Sequence, residues 1–188
     1  MRKIQSLLIL LAILSSCQHI KQAKTTDMFD KENLIAWCIV PFDAVGRSPE
    51  ERAGMLNELG ISQLAYDYRD EHLASFVEEI SVLAAHGIEL RAVWFWVQGD
   101  SNGLLDRSNE FILESLKKTN TRTELWVSFP ESYYDGNTDG ENLQKAIHSI
   151  REILQRAEEI GCTLALYNHG GWFGDIENQI RIIEAIGS

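Results

Sequence analysis

Five stretches of the chain concentrate side chains able to grip a ligand or move a proton. They are Pro41-Phe42-Asp43, Asp67-Tyr68-Arg69-Asp70-Glu71-His72, Trp94-Phe95-Trp96, Ser128-Phe129-Pro130-Glu131 with Tyr133 and Tyr134, and Asn168-His169-Gly170-Gly171-Trp172. Aromatic rings among polar donors suit a sugar, whose C–H faces stack while its hydroxyls take hydrogen bonds. His169 is the leading catalytic candidate. An imidazole titrates near neutrality and so transfers protons or binds metal, and Gly170-Gly171 allows a ligand or backbone to come close. Glu131 is the second, as a general base. Trp37, Asp67, Arg69, His72, Trp94 and Asn168 are the candidate substrate contacts.

Each has an ordinary structural counterpart. A lone His is more often a satisfied structural group, and a loop carboxylate such as Glu131 is usually just solvated. Strand alternation turns only half of Trp37, Trp94 and Trp96 inward. Arg69, Glu71 and His72 also fit a solvated ion cluster at a helix entrance. No Cys or His pairs stand at zinc spacing and no Gly-rich phosphate loop carries a Lys, so no metal ligand is assigned.

These stretches follow apolar runs, and the runs recur. Strands are expected at Ile35–Val40, Gln63–Tyr68, Leu90–Trp96, Glu124–Phe129 and Thr163–Tyr167. Amphipathic helices are expected at about 49–59, 74–86, 108–118, 140–160 and 175–186. Ser48-Pro49-Glu50-Glu51 reads as a capping box with Pro at the first helical position, and Ser75-Phe76-Val77-Glu78 repeats the box. Gly60, Gly87 and Gly161 close helices and launch the next strand. Alternating apolar strands and helices imply a parallel sheet with right-handed crossovers. A doubly wound sheet and a β/α barrel both fit. Polar and aromatic residues after every strand favour the barrel, where function sits at the strands' C-terminal ends. The fold class is α/β, a partial (β/α) barrel of about five of eight β/α units over residues 33–188, incomplete as it stands.

Ahead of it, Arg2 and Lys3 precede the apolar run Leu7–Leu14 and then Leu14-Ser15-Ser16-Cys17. The run suits a cleaved export signal over residues 1–16. Leu-Ser-Ser-Cys resembles the bacterial lipobox, with Cys17 as the lipid attachment site; an incidental Cys after an ordinary secretory signal is the alternative. Residues 17–32 read as a lipidated tether, placing the protein outside the cytoplasm on the cell membrane or outer membrane. Cys38 and Cys162 are expected as buried free thiols. The 188 residues carry 17 Lys and Arg against 28 Asp and Glu, a net charge of −11. That balance excludes nucleic acid as partner, because phosphate binding needs surplus cations. At 45% apolar and 24% charged residues the composition excludes disorder and a polytopic membrane protein.

Ala36-Trp37-Cys38-Ile39-Val40-Pro41-Phe42-Asp43, Tyr66-Asp67-Tyr68-Arg69-Asp70-Glu71-His72 and Leu166-Tyr167-Asn168-His169-Gly170-Gly171-Trp172 with Glu177-Asn178 resemble the sugar phosphate isomerase/epimerase family, the xylose isomerase-like TIM barrels. The resemblance implies metal-assisted proton transfer next to a sugar carbonyl, with a divalent ion (Mn, Mg, Co or Zn) in a complete member. It also implies a fifth-strand Glu ligand where this chain has Tyr167, a poor ligand, and further ligands on strands six to eight, which the chain lacks. No metal ligand is carried over. Asn168 and His169 match the motif. The expected partner is a sugar or glycan-derived small molecule, and open barrel edges imply self-association. A carbohydrate-binding protein without catalysis and a non-functional gene fragment are the alternatives.

Overall fold

Residues whose apolar runs are long enough to be covered on both faces become parallel strands, and the amphipathic stretches between them become the covering helices. The structure, a computed structural model, describes residues 28–187 apart from residue 102. Cys17 and the export signal lie outside the described residues, as does the tether up to residue 27. Among the described residues no helix is long and apolar enough to cross a membrane. A compact unit begins at Lys31.

In chain order this unit runs α1 (Pro49–Leu59), β1 (Gln63–Tyr66), α2 (Phe76–Ala85), β2 (Glu89–Trp96), α3 (Arg107–Thr119), β3 (Glu124–Ser128), α4 (Asp139–Glu158), β4 (Thr163–Leu166), the single turn α5 (Gly171–Gly174) and α6 (Ile176–Ile186). The sheet order is β1-β2-β3-β4, every pair parallel, which is the arc of a β/α barrel. A bulge at Arg91 adds one residue to β2, so Leu64 pairs with Leu90 but Ala65 with Ala92.

The expected first strand does not form. Only Ala36 bridges the sheet, at Leu64, through hydrogen bonds of 2.9 Å to the Gln63 carbonyl and 2.8 Å from the Ala65 N–H. Two features end the extended run. Cys38 is left-handed at φ 61°. The Asp43 carboxylate then accepts from the Val45 and Arg47 N–H groups at 3.1 and 2.8 Å and turns the chain. The arc therefore holds four strands and one bridging residue where five strands were expected.

Helix ends follow local chemistry. Ser48 and Glu51 form the reciprocal capping box, with Pro49 at the first helical position, and Gly60 closes α1 at φ 70°. The second expected box is absent. Ser75 Oγ donates instead to the His72 carbonyl at 3.0 Å, and a 3-10 segment, Asp70–Ser75, leads into α2. Asp106 and Thr138 make boxes with Asn109 and Glu141 at the starts of α3 and α4.

The sheet's outer face carries the aliphatic core. Leu64, Tyr66, Val93, Phe95, Leu125 and Val127 are buried against Leu56, Phe76, Leu83, Ile112, Leu116 and Ile153 from the helices. Each such side chain contributes about 1.5–3 kcal/mol by leaving water. Between α1 and α2 a buried ion pair joins Arg52 to Glu79 by two hydrogen bonds of 3.0 Å. Cys38, half-buried, and Cys162, buried, are free thiols.

Candidate functional site

Side chains alternate across a strand, so the residues facing away from the helices form layers on the inner face of the arc. Trp94 pairs in register with Trp126, and Trp126 with Ala165. Asp67 follows Tyr66, whose partner is Val93, so it stands beside Trp94 in the same layer. One step towards the C-terminal ends lie Arg69, Trp96, Ser128 and Tyr167. This face carries indole and phenol rings where the outer face is mostly aliphatic, with Tyr66 and Phe95 among the branched residues. Tyr167 stacks on Trp126 with centroids 5.9 Å apart, and Trp37 meets both rings edge-on at 5.7 and 6.3 Å. The Trp94 indole N–H donates to Ser128 Oγ at 2.6 Å, which fixes the ring's tilt.

At the C-terminal ends these rings open into a cleft of about 590 Å³. Trp94, Trp96 and His169 form its aromatic wall; the imidazole lies 5.4 Å from the Trp94 ring and 5.8 Å from that of Trp96. Arg69, Asp70 and Glu71 border it on the β1 side, and Gln98, Asp106 and Ser108 on the side where β2 runs into α3. The α3 start is held there by its own cap and by Asn109, whose amide donates to the Trp96 carbonyl at 2.8 Å. The Arg69 guanidinium lies 5.2 Å from the centre of the Phe42 ring and 5.5 Å from that of Trp94, and donates to the Tyr68 carbonyl at 2.6 Å.

Asp67 is the electrostatic anomaly of this face. It is 0% exposed, and neither carboxyl oxygen has a hydrogen-bond partner; the weakly donating Cys38 thiol faces it. Burial pushes the carboxyl above the usual aspartate range, against the pull of Cys38 and Arg69. Burial likewise raises the Cys38 thiol, with the neighbouring Asp67 adding to it. Tyr167 is raised by burial and then by Cys38 and Asp67.

Of the residues expected from sequence, the cleft gathers Arg69, Trp94 and His169. Trp37 is on the same inner face, 40% exposed, but packs on Trp126 and Tyr167. Asp67 lies under the face, not in the cleft. His72 Nδ1 accepts from the Arg69 N–H at 2.9 Å and so holds the loop after β1. Asn168 is exposed beside His169, and Gly174 packs closely on the backbone of both. Glu131 is exposed and leans on the glycine pair. A Cβ on Gly171 would come within 2.8 Å of Glu131 Cγ, so the close approach those glycines permit is that of Glu131. Gln98, Asp106 and Ser108 carried no chemical signal in the sequence beyond the helix cap that Asp106 provides.

Among the described residues no three His, Cys, Asp or Glu side chains converge to hold a metal ion. The divalent ion implied by the family resemblance therefore lacks a donor set here, and no step is derived through one. No family model and no curated protein matches the chain. Among solved structures it is similar to a crystal structure of D-psicose 3-epimerase in the presence of D-fructose, with a TM-score of 0.51 at 13% identity. The likeness covers 82% of this chain and 60% of that one, so the chain spans less than two thirds of the epimerase it matches. At that identity the likeness establishes a shared barrel-type fold.

Proposed function

We propose that this chain binds a saccharide or glycan-derived small molecule in the cleft at the strand ends. The observation that carries this reading is the convergence of Trp94, Trp96 and His169 opposite polar groups from two other loops, Arg69 on one side and Gln98 and Ser108 on the other. A sugar ring stacks on the indoles, and its hydroxyls meet Arg69, Gln98, Asp106 and Ser108. Tryptophan fluorescence and calorimetry with a panel of ketoses, aldoses and oligosaccharides test it. A stacking contact contributes about 0.5–1.5 kcal/mol, so Trp94→Ala weakens binding roughly 2- to 13-fold. A panel without binding, or binding that ignores Trp94→Ala and His169→Ala, overturns the reading.

A second reading, proton transfer beside a sugar carbonyl, is favoured by the placing of His169 in that wall. Solvent deuterium entering a bound sugar, with and without Mn²⁺, Mg²⁺, Co²⁺ or Zn²⁺, decides it; loss of exchange in His169→Ala assigns the imidazole, and no exchange leaves binding alone. Lipid attachment at Cys17 outside the cytoplasm completes the proposal and favours free sugars over sugar phosphates. Mass spectrometry of the membrane fraction checks it, since an unmodified Cys17 in soluble protein refutes the anchor.

A further inference from the structure

Asp67 and Arg69 stand two residues apart on one face of one strand end, the spacing at which side chains are neighbours. They carry opposite charges when ionised, yet they are not paired. The guanidinium lies over Phe42 and Trp94, while the buried carboxyl meets no donor from another residue but the weak Cys38 thiol. A buried polar group without a strong partner is costly and calls for an explanation in strain, chemistry or a bound water. A second cost sits against it. Cys38, which faces Asp67, holds a left-handed backbone that a non-glycine residue adopts only at a penalty. Phe42, four residues on and 67% exposed, is the ring that holds Arg69 from that same segment.

We propose that Arg69 is a two-position latch, stacked between Phe42 and Trp94 while the Trp94 face is free and moved onto the Asp67 carboxylate when a ligand takes that face. The trigger rests on the cleft being the saccharide site. The latch itself rests on the unpaired geometry. In the second position Arg69 pairs with the Asp67 carboxylate, and a carboxyl that still carries its proton gives it to water as the pair forms. Phe42 then loses its guanidinium partner, while Val40 in the core and the Asp43–Arg47 pair keep the segment around it in place. Asp67 is a positioning residue in this scheme, acting on the cleft through Arg69.

The titratable groups near Asp67 are the Cys38 thiol, the Tyr167 phenol, the Arg69 guanidinium and the His72 imidazole, with the Tyr66 phenol on the opposite, helix side, donating to the His72 carbonyl. His72 is committed through Nδ1 to the Arg69 N–H. Arg69 carries the guanidinium that can pair with the Asp67 carboxylate. A change in Asp67 ionisation that needs the guanidinium therefore reports the latch.

Carbon-13 carboxyl spectra of the full chain, with the Asp67 signal assigned through Asp67→Asn, read that ionisation directly. Trp94→Ala removes one of the two rings that hold Arg69 and mimics a ligand's displacement of it. The expected result is a fall of about tenfold or more in Asp67 proton affinity, reversed in Trp94→Ala/Arg69→Gln. Phe42→Ala, at an exposed position, moves the signal the same way and serves if Trp94→Ala does not fold. An Asp67 titration unmoved by either variant overturns the latch. So does a fall that persists without Arg69, which means mere hydration. Adding D-fructose to the parent chain then tests the trigger. A tryptophan signal together with lowered Asp67 proton affinity supports it, and a tryptophan signal with Asp67 unmoved overturns it. Titration moved by the variants, with no saccharide signal across the panel, keeps the latch and counts against the saccharide reading alone.

Discussion

Asp67 contributes stability that should fall as pH rises, and Asp67→Asn isolates it. In the unfolded chain Asp67 titrates near the ordinary value of about 3.9. In the native chain burial holds it higher. Between those two values the native state binds more protons than the unfolded state, so unfolding free energy decreases with pH. The limiting slope for one proton is about 1.4 kcal/mol per pH unit, and the total lost equals about 1.4 kcal/mol for each unit by which burial raises the carboxyl. Other carboxyls act in the opposite sense. Glu110, held below the usual range by its hydrogen bonds to Arg156, loses its contribution in acid. Such terms are common to the parent and to Asp67→Asn, and they cancel in the difference. Urea unfolding of both proteins in half-unit steps from pH 4.5 to 8 is the assay. Parent minus variant should decline through the acid end and flatten once the native carboxyl has ionised, whatever its constant offset. A difference that stays flat means the carboxyl is hydrated and titrates as in the unfolded chain. A difference that grows with pH means Asp67 is a paired anion in the native state. Either result refutes the reading of Asp67 as a carboxyl raised by burial.

Arg52→Met leaves the fully buried Glu79 unpaired and should cost about 3–5 kcal/mol in urea unfolding, whereas Arg52→Met/Glu79→Leu should return close to the parent. A single variant that costs less than about 1 kcal/mol, within the range of exposed pairs, would show Glu79 reached by water. Gly171→Ala meets both a positive φ of 61° and Glu131 Cγ at 2.8 Å, for a loss of about 1–3 kcal/mol. Adding Glu131→Ala should restore the share due to contact and leave the backbone share; no restoration means that the strain is all in the backbone. Ile176, Ile180 and Ile183 form an exposed apolar stripe on α6, and β4 pairs only with β3 among the described residues. Sedimentation velocity should show concentration-dependent association that Ile180→Lys weakens; a parent monomeric at all concentrations refutes it.

Where the sequence was legible, one local cause decided the outcome. Ser48-Pro49-Glu50-Glu51 starts α1 because the cap, the proline and the returning carboxylate all act within four residues. The same pattern at Ser75 failed because Asp70–Ser75 had already wound into a 3-10 segment that uses the Ser75 hydroxyl backwards. Ile35–Val40 has a buried strand's composition. What stops it is a left-handed Cys38 and an Asp43 turn, which apolar periodicity does not register. At the site, Trp94 and Arg69 were legible because strand alternation plus a strand end fixes their face. Asp67 satisfies the same rule but stops short of the cleft, because alternation gives a face and not a depth. Gln98 comes from a connection and Ser108 from the first turn of α3, and where both end up depends on where α3 docks, a tertiary fact.

The composition of the inner face argues that this sheet divides its work between its two sides. A closed barrel fills its interior with layers of branched aliphatic side chains, since those pack to full density without polar atoms to satisfy. Here the branched and aliphatic residues sit on the helix side, where Leu64, Val93, Leu125 and Val127 are shut off from water. The inner side holds small Ala65, Ala92 and Ala165 with half-buried Trp94, Trp96, Trp126 and Tyr167, and places an unpaired carboxyl among them. Wide rings beside small residues tile a surface rather than interlock into a core, and indole N–H groups on such a surface find partners within it, as Trp94 does on Ser128 and Trp126 on Glu124. A face so built keeps flat apolar plates available at the strand ends. Stability is thus placed on the outer side by burial, and the inner side carries the polar exceptions, Asp67 above all.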